Sequence, residues 1–209
     1  MAFTFFFRDM DAIKLIPEYV LPNIPEKKCV KIWDAGCANG PEVYSILIHL
    51  KEMLNQERFN EIKIFASDID SSNRFKKIIE EGTYKKNQIS SVPQDILNKH
   101  FSQDPQNTDI YIISEDLRKK VNFQKHDLLT LEPIGYDFDL IICKHVLEHF
   151  SEKEQVDVVK MFYNALTYNG FLLCEFSQEI PQYLNSHFIK IFPEKNLYRK
   201  NFNTNKNRA

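Results

Sequence analysis

No apolar run in the 209 residues approaches the ~20 needed to span a bilayer, which argues against membrane insertion. Basic residues are not in excess either. The 27 Lys and Arg face 29 Asp and Glu, for a net charge of −2, so the broad cationic footprint of a nucleic-acid-binding protein is missing. The four cysteines (Cys29, Cys37, Cys143, Cys174) lie far apart and lack the paired spacing of a zinc site. Three of them sit in or beside apolar runs, which reads as buried free thiols in a reducing, cytoplasmic setting. The opening scatters Arg8, Asp9, Asp11 and Lys14 among aromatics and does not read as a signal peptide. There is no internal repeat and no long low-complexity segment. What is present, 43% apolar and 27% charged residues, suits one soluble domain with a full core.

Along the chain, strand-like and helix-like segments alternate. Ile13, Ile16 and Val20 have helical spacing over Met10 to Val20, ended by Pro22 and Pro25. Cys29 to Trp33 is a short apolar strand that ends at Asp34 and a glycine-bearing turn. Pro41 suits a first helical turn, and Tyr44 to Leu54 continues it. A second strand, Ile62 to Ser67, ends at Asp68. Ser71 or Ser72 can cap the following helix, which stops at Gly82. From Tyr84 to Asn122 the rhythm changes to a short helix (Pro93 to Phe101), a polar loop and alternating strands, read as an insertion with its own antiparallel strands. Phe138 to Cys143 is nearly continuously apolar, as expected of a strand buried on both faces of a parallel sheet. Ser151 and Glu154 form a capping box for a helix expected to end near Asn169-Gly170, and Phe171 to Phe176 is a further buried strand. Such alternation predicts an α/β, doubly wound, mostly parallel sheet with its ligand outside the carboxyl ends of the strands.

Residues just after those strands carry the chemistry. Asp34-Ala35-Gly36-Cys37-Ala38-Asn39-Gly40 offers a glycine for a tight turn and close ligand approach. A nucleotide-binding turn would hold pyrophosphate at the next helix N-terminus. Asp34 would repel that anion and suits instead a ligand with an ammonium and a sulfonium, so S-adenosylmethionine fits better than a dinucleotide; a merely structural turn stays open. Asp68 is placed to accept hydrogen bonds from two ribose hydroxyls, or with Asp70 to cap the next helix. Asp127 is placed to meet an adenine amino group, or to sit in water. Lys144-His145-Val146-Leu147-Glu148-His149 matches H-x-x-E-H, a zinc-peptidase string. That string needs a helix to bring both histidines to one ion, and here it follows a buried strand. No metal is expected, and a pocket-lining role is the better reading.

Together these residues resemble the CheR family of chemotaxis receptor methyltransferases, nearly end to end over Thr4 to Lys200. Thr4-Phe5-Phe6-Phe7-Arg8 resembles the family's opening Thr-x-Phe-Phe-Arg. Gly40-Pro41-Glu42-Val43-Tyr44-Ser45 is similar to its Gly-Glu-Glu-Pro-Tyr-Ser, and Gly82-Thr83-Tyr84 to its Gly-x-Tyr. Phe65 to Asp70 and Phe138 to Cys143 are similar to its second and fourth strand motifs. The resemblance implies the seven-stranded sheet of class I S-adenosylmethionine-dependent methyltransferases, in a domain over residues 1–200 with an antiparallel insertion at about 84–122 and a disordered tail at 201–209. It implies that Thr4 and Arg8 close over the cofactor, that Glu42 helps hold its methionine end and that Asp68 binds the ribose; Asp34 and Gly36 of the turn are expected cofactor contacts beside them. Asp127 and Leu128 would frame the adenine, and Lys144 and His145 would complete the cofactor contacts. Arg8 and His149 are the catalytic candidates. S-adenosyl-L-homocysteine would be the product, and the acceptor would be glutamate carboxylates of a methyl-accepting receptor protein.

This chain departs from the family in places. Lys144-His145 stands where the family has Arg-Asn, His149 where it has a tyrosine near the acceptor, and Ala2 and Asp127 where it has asparagines. By the resemblance, these residues correspond to the family's catalytic domain, which a helical domain usually precedes. The departures cluster on the acceptor side, so two alternatives stay open. One is a class I methyltransferase with another acceptor, small molecule or protein, toward which His149 would act as general base. The other is a non-catalytic S-adenosylmethionine-binding signalling module.

Overall fold

A computed structural model of the chain describes residues 4–175 and 179–202. The elements are α1 (Met10–Ile13), β1 (Val30–Ala35), α2 (Pro41–Met53), α3 (Gln56–Asn60), β2 (Ile62–Asp68) and α4 (Phe75–Glu81). They continue with β3 (Thr83–Lys85), α5 (Gln94–His100), β4 (Phe101–Gln103), β5 (Ile110–Ile113), α6 (Glu115–Arg118) and β6 (Val121–Lys125). The last are β7 (Phe138–Cys143), α7 (Glu152–Ala165), β8 (Leu166–Cys174), β9 (Phe188–Phe192) and β10 (Lys195–Lys200).

Seven strands form one sheet in the order β6-β2-β1-β7-β8-β10-β9. Strand β10 runs antiparallel to both its neighbours, whereas the other pairs are parallel. Strand order reverses at β1, which puts a crevice above the carboxyl ends of β1 and β7, where open α/β sheets bind ligands. The apolar run of β7 splits by alternation. Leu140 and Ile142 enter one core with Ile32, Leu173 and the α2 residues Val43 and Leu47, while Ile141 and Cys143 enter the other with Trp33, Leu172 and Phe162 of α7. All six residues of β7 are buried, which explains why the strand reads as continuous rather than alternating. Trp33 is held by an Nε1 hydrogen bond to Ser67 Oγ (2.8 Å) and packs on Phe138 and Phe162 with ring centroids 5.3 Å away in each case.

Several local expectations are corrected. The helix expected over Met10 to Val20 is broken into α1 and a wide turn at Ile16–Val20, because Pro17 lies inside it and has no N–H to donate. Neither Ser71 nor Ser72 caps α4. Asp70 does so, accepting from the N–H groups of Arg74 and Phe75 at 3.0 Å each. The capping box of Ser151 and Glu154 on α7 is present, but α7 ends at Ala165 and β8 begins at once. Gly170 therefore lies within β8. The small antiparallel sheet, ordered β3-β5-β4, is closed by Ile113, and Val121–Lys125, in which the insertion was expected to end, joins the main sheet parallel to β2. Phe176 and residues 203–209 of the expected tail lie outside the described residues. Asn201, at the start of that tail, is tied down by its N–H to the His187 carbonyl (2.8 Å). Among the described residues no helix is long and apolar enough to cross a membrane.

Candidate active site

The turn after β1 is built on backbone that favours glycine. Gly36 and Gly40 have φ of +96° and +98°, and a Cβ on Gly36 would stand 2.2 Å from Val146 Cγ2. On Gly40 it would stand 2.7 Å from Ile79 and 2.8 Å from the Tyr84 hydroxyl. The turn is stitched to the end of β2. The N–H groups of Gly36 and Cys37 donate to the Ser67 carbonyl (2.7 and 3.0 Å), and that of Ala38 donates to Asp68 Oδ2 (2.9 Å). Asp68 Oδ1 accepts from the Asp70 N–H at 3.0 Å. Each Asp68 oxygen is thus fixed by one amide and retains acceptor capacity for another donor.

The N-terminal segment closes over this turn. Phe6 is buried edge-on against Tyr84 and Phe101, at 4.9 and 5.5 Å between centroids. The Phe7 N–H donates to Ser45 Oγ (2.8 Å), while Ser91 Oγ donates to the Phe6 carbonyl (2.8 Å). These anchors bring Thr4 and Arg8 to a cavity of about 700 Å³ whose other walls include Gly36, Glu42, Asp68, Asp127, Leu128, Lys144, His145 and His149. A cavity of that size lies within the range of small-molecule sites.

Every expected site residue but one therefore lines the same cavity. The exception is Asp34, 1% exposed, which lies beneath the turn instead of in the cavity wall, with Oδ2 buried and unpartnered. Burial pushes the Asp34 carboxyl well above its ordinary range, and the Glu42 and Asp68 carboxylates add to this against the opposing charge of Lys144. Lys144 is enclosed, its side chain 1% exposed, with Nζ 2.6 Å from Glu42 and 3.6 Å from Asp9. Asp9 also meets His145 Nε2 at 2.7 Å. Although burial raises its pKa, the hydrogen bond from His145 and the charges of Lys144, His145 and Arg8 hold Asp9 below the usual carboxylate range. Burial likewise pushes the Cys37 thiol well up, aided by Asp34, Asp68 and Glu42, so it is no nucleophile.

Sequence reasoning missed His126, which also lines the cavity, whereas Glu148 lines it as part of the string read as pocket-lining. His126 Nε2 donates to the Glu132 carbonyl (2.7 Å), which leaves Nδ1 as a buried, unpartnered acceptor. Its position immediately before Asp127, at the end of a core strand, was the available signal. The residues present fit S-adenosylmethionine. Glu42 supplies a carboxylate in the cavity wall for a cationic methionine end, an unpartnered Asp34 oxygen lies under the turn, and Asp68 keeps acceptor capacity for ribose hydroxyls.

The comparisons agree with this geometry. Residues 2–196 match the family described as "CheR methyltransferase, SAM binding domain". The chain is 31% identical over 194 residues to a chemotaxis protein methyltransferase of Borreliella burgdorferi, covering 89% of this chain and 67% of that one. It is 28% identical to chemotaxis protein methyltransferase 2 of Vibrio cholerae (94% and 69% covered) and 27% identical to a chemotaxis protein methyltransferase of Listeria innocua (84% and 64% covered). The chain thus spans about two thirds of the length of these relatives. A fold ordered around β1, a cavity at its switch point and a match across residues 2–196 lead to one conclusion: the chain belongs to the CheR family of S-adenosylmethionine-dependent methyltransferases.

Proposed function

We propose that the chain transfers the methyl group of S-adenosylmethionine to glutamate carboxylates of a methyl-accepting receptor protein, in the cytoplasm. The observation that carries this reading is the convergence of Arg8, on the N-terminal segment, with Glu42, Asp68 and Lys144 on one cavity. When bound, the cofactor supplies an electrophilic methyl on a cationic sulfur. The residues have the remaining tasks. Asp68 orients the ribose, Asp127 and Leu128 flank the adenine, and Lys144, 2.6 Å from Glu42, holds that side chain toward the methionine end. Arg8 meets the incoming carboxylate. A glutamate is already ionised at neutral pH, so no general base has to remove a proton, and alignment of carboxylate with methyl is the main catalytic demand.

A second reading rests on the rim. His149 and Glu148 line the cavity mouth, and an imidazole there suits a hydroxyl or amine acceptor that must lose a proton. One assay separates the two. Methyl-labelled cofactor is incubated with the protein and membranes bearing the receptors of its source. Label on a receptor band that mild alkali releases as methanol supports the carboxyl ester. Alkali-stable label, or label confined to small molecules, overturns it.

A further inference from the structure

We infer that His145, Glu148 and Glu175 form a binding site for one first-row divalent transition-metal ion of the zinc kind, supported by Asp9. One nitrogen or oxygen from each of the three residues lies within 4.8 Å of those of the others. Glu175 is 3% exposed. Its Oε2 accepts from the His145 N–H at 2.9 Å, but its Oε1 is buried without any hydrogen-bond partner. A buried carboxylate left half-partnered calls for a counter-charge. Lys144, adjacent to His145 in sequence, is already committed, since it is paired with Glu42 and lies 3.6 Å from Asp9.

The imidazole is arranged for metal ligation. Its Nε2 donates to Asp9 Oδ2 at 2.7 Å, so Nδ1 is the nitrogen left for an ion, 3.9 Å from Glu148 Oε1. A carboxylate that accepts from the far nitrogen of a metal-bound imidazole usually fixes the ring's orientation. His145 itself is held at φ +57°, a left-handed conformation that costs strain and that the bond to Glu175 maintains. One imidazole nitrogen with two carboxylates suits zinc and its neighbours better than calcium or magnesium, which favour larger all-oxygen sets. Bonds of about 2.1 Å would draw the ligand atoms to roughly 3.5 Å apart. Glu148, with a side chain 46% exposed, has the freedom to move in. His149, the last residue of the H-x-x-E-H string, is not in the cluster; Glu175, 30 positions along from His145, takes its place. Because Asp9 follows Arg8 in the segment that closes the cavity, an ion here would pin that segment to the turn after β7.

The site does not depend on the methyl-transfer reading, and its test is separate. The metal-stripped full chain is titrated with Zn²⁺ by calorimetry and with Co²⁺ by visible absorption. The expected result is one ion per chain, bound at least ten-fold more weakly by His145→Asn and by Glu175→Gln, about ten-fold more weakly by Asp9→Asn, and equally well by His149→Phe. Zinc should also raise the melting temperature of the unaltered chain but not of His145→Asn. Asparagine tolerates the left-handed backbone at 145, so that variant carries the test should Glu175→Gln fail to fold. No binding, or binding that survives both His145→Asn and Glu175→Gln, overturns the site. Loss of methyl transfer with zinc binding intact would instead count against the proposed function alone.

Discussion

The floor and the rim of the cavity are made differently. The floor is backbone: glycine turns, amides donating to Ser67 and Asp68, and an aspartate buried beneath them. The rim is side chains on the turn after β7 and on the N-terminal segment, joined by ion pairs among Arg8, Asp9, Glu42, Lys144 and His145. Backbone geometry admits few substitutions, whereas side chains on a turn can be exchanged without disturbing the sheet. Lys144, His145 and His149 lie on the turn after β7, while Asp34, Gly36 and Asp68 lie at the ends of β1 and β2 and in the turn between β1 and α2.

The largest effect should come from breaking the floor. Gly36→Ala combines an unfavourable φ with a Cβ driven against Val146, and should destabilise the chain by about 3 kcal/mol, lowering the melting temperature by roughly 8 °C. A melt within 2 °C or so of the unaltered chain would show that the turn relaxes freely. Asp68→Ala should weaken cofactor binding roughly 10- to 100-fold by calorimetry, because two ribose hydroxyls and the Ala38 N–H lose their acceptor. Unchanged affinity would remove Asp68 from the site.

A smaller effect concerns Asp34. Its pKa in the folded chain is raised by burial first, and by Glu42 and Asp68 after it. The folded state therefore favours the protonated carboxyl. That contribution is fully present below the unfolded pKa of about 3.9 and is lost as pH rises through the higher folded value. Asp34→Asn imitates the protonated form. It should make the cofactor-free chain more stable than the original at about pH 8, with the gain shrinking toward about pH 4. A gain independent of pH would mean that Asp34 is ionised in the folded chain after all.

Much of this was legible in the sequence because the informative segments obey local rules. Strand β2 ends at Asp68 as its pattern indicated, and the Ser151-Glu154 box needs only its own four residues. What escaped was decided by contacts distant in sequence. Strand β8 starts without a glycine stop because Leu166 pairs with Phe138 of β7. Strands β9 and β10 carry Lys190, Lys195, Arg199 and Lys200, a polar pattern that hid an edge hairpin paired to β8. At the site, the motif residues were found by their places after strands. His126 was not, since only the assembled cavity shows that this residue faces it.

The division between floor and rim is tested most directly by measuring cofactor affinity and turnover side by side for His149→Phe and Asp68→Ala. The account predicts that His149→Phe lowers turnover while its cofactor dissociation constant stays within about two-fold of the original, and that Asp68→Ala loses cofactor affinity by ten-fold or more. Equal loss of affinity in both variants would place His149 in the cofactor site and contradict the division.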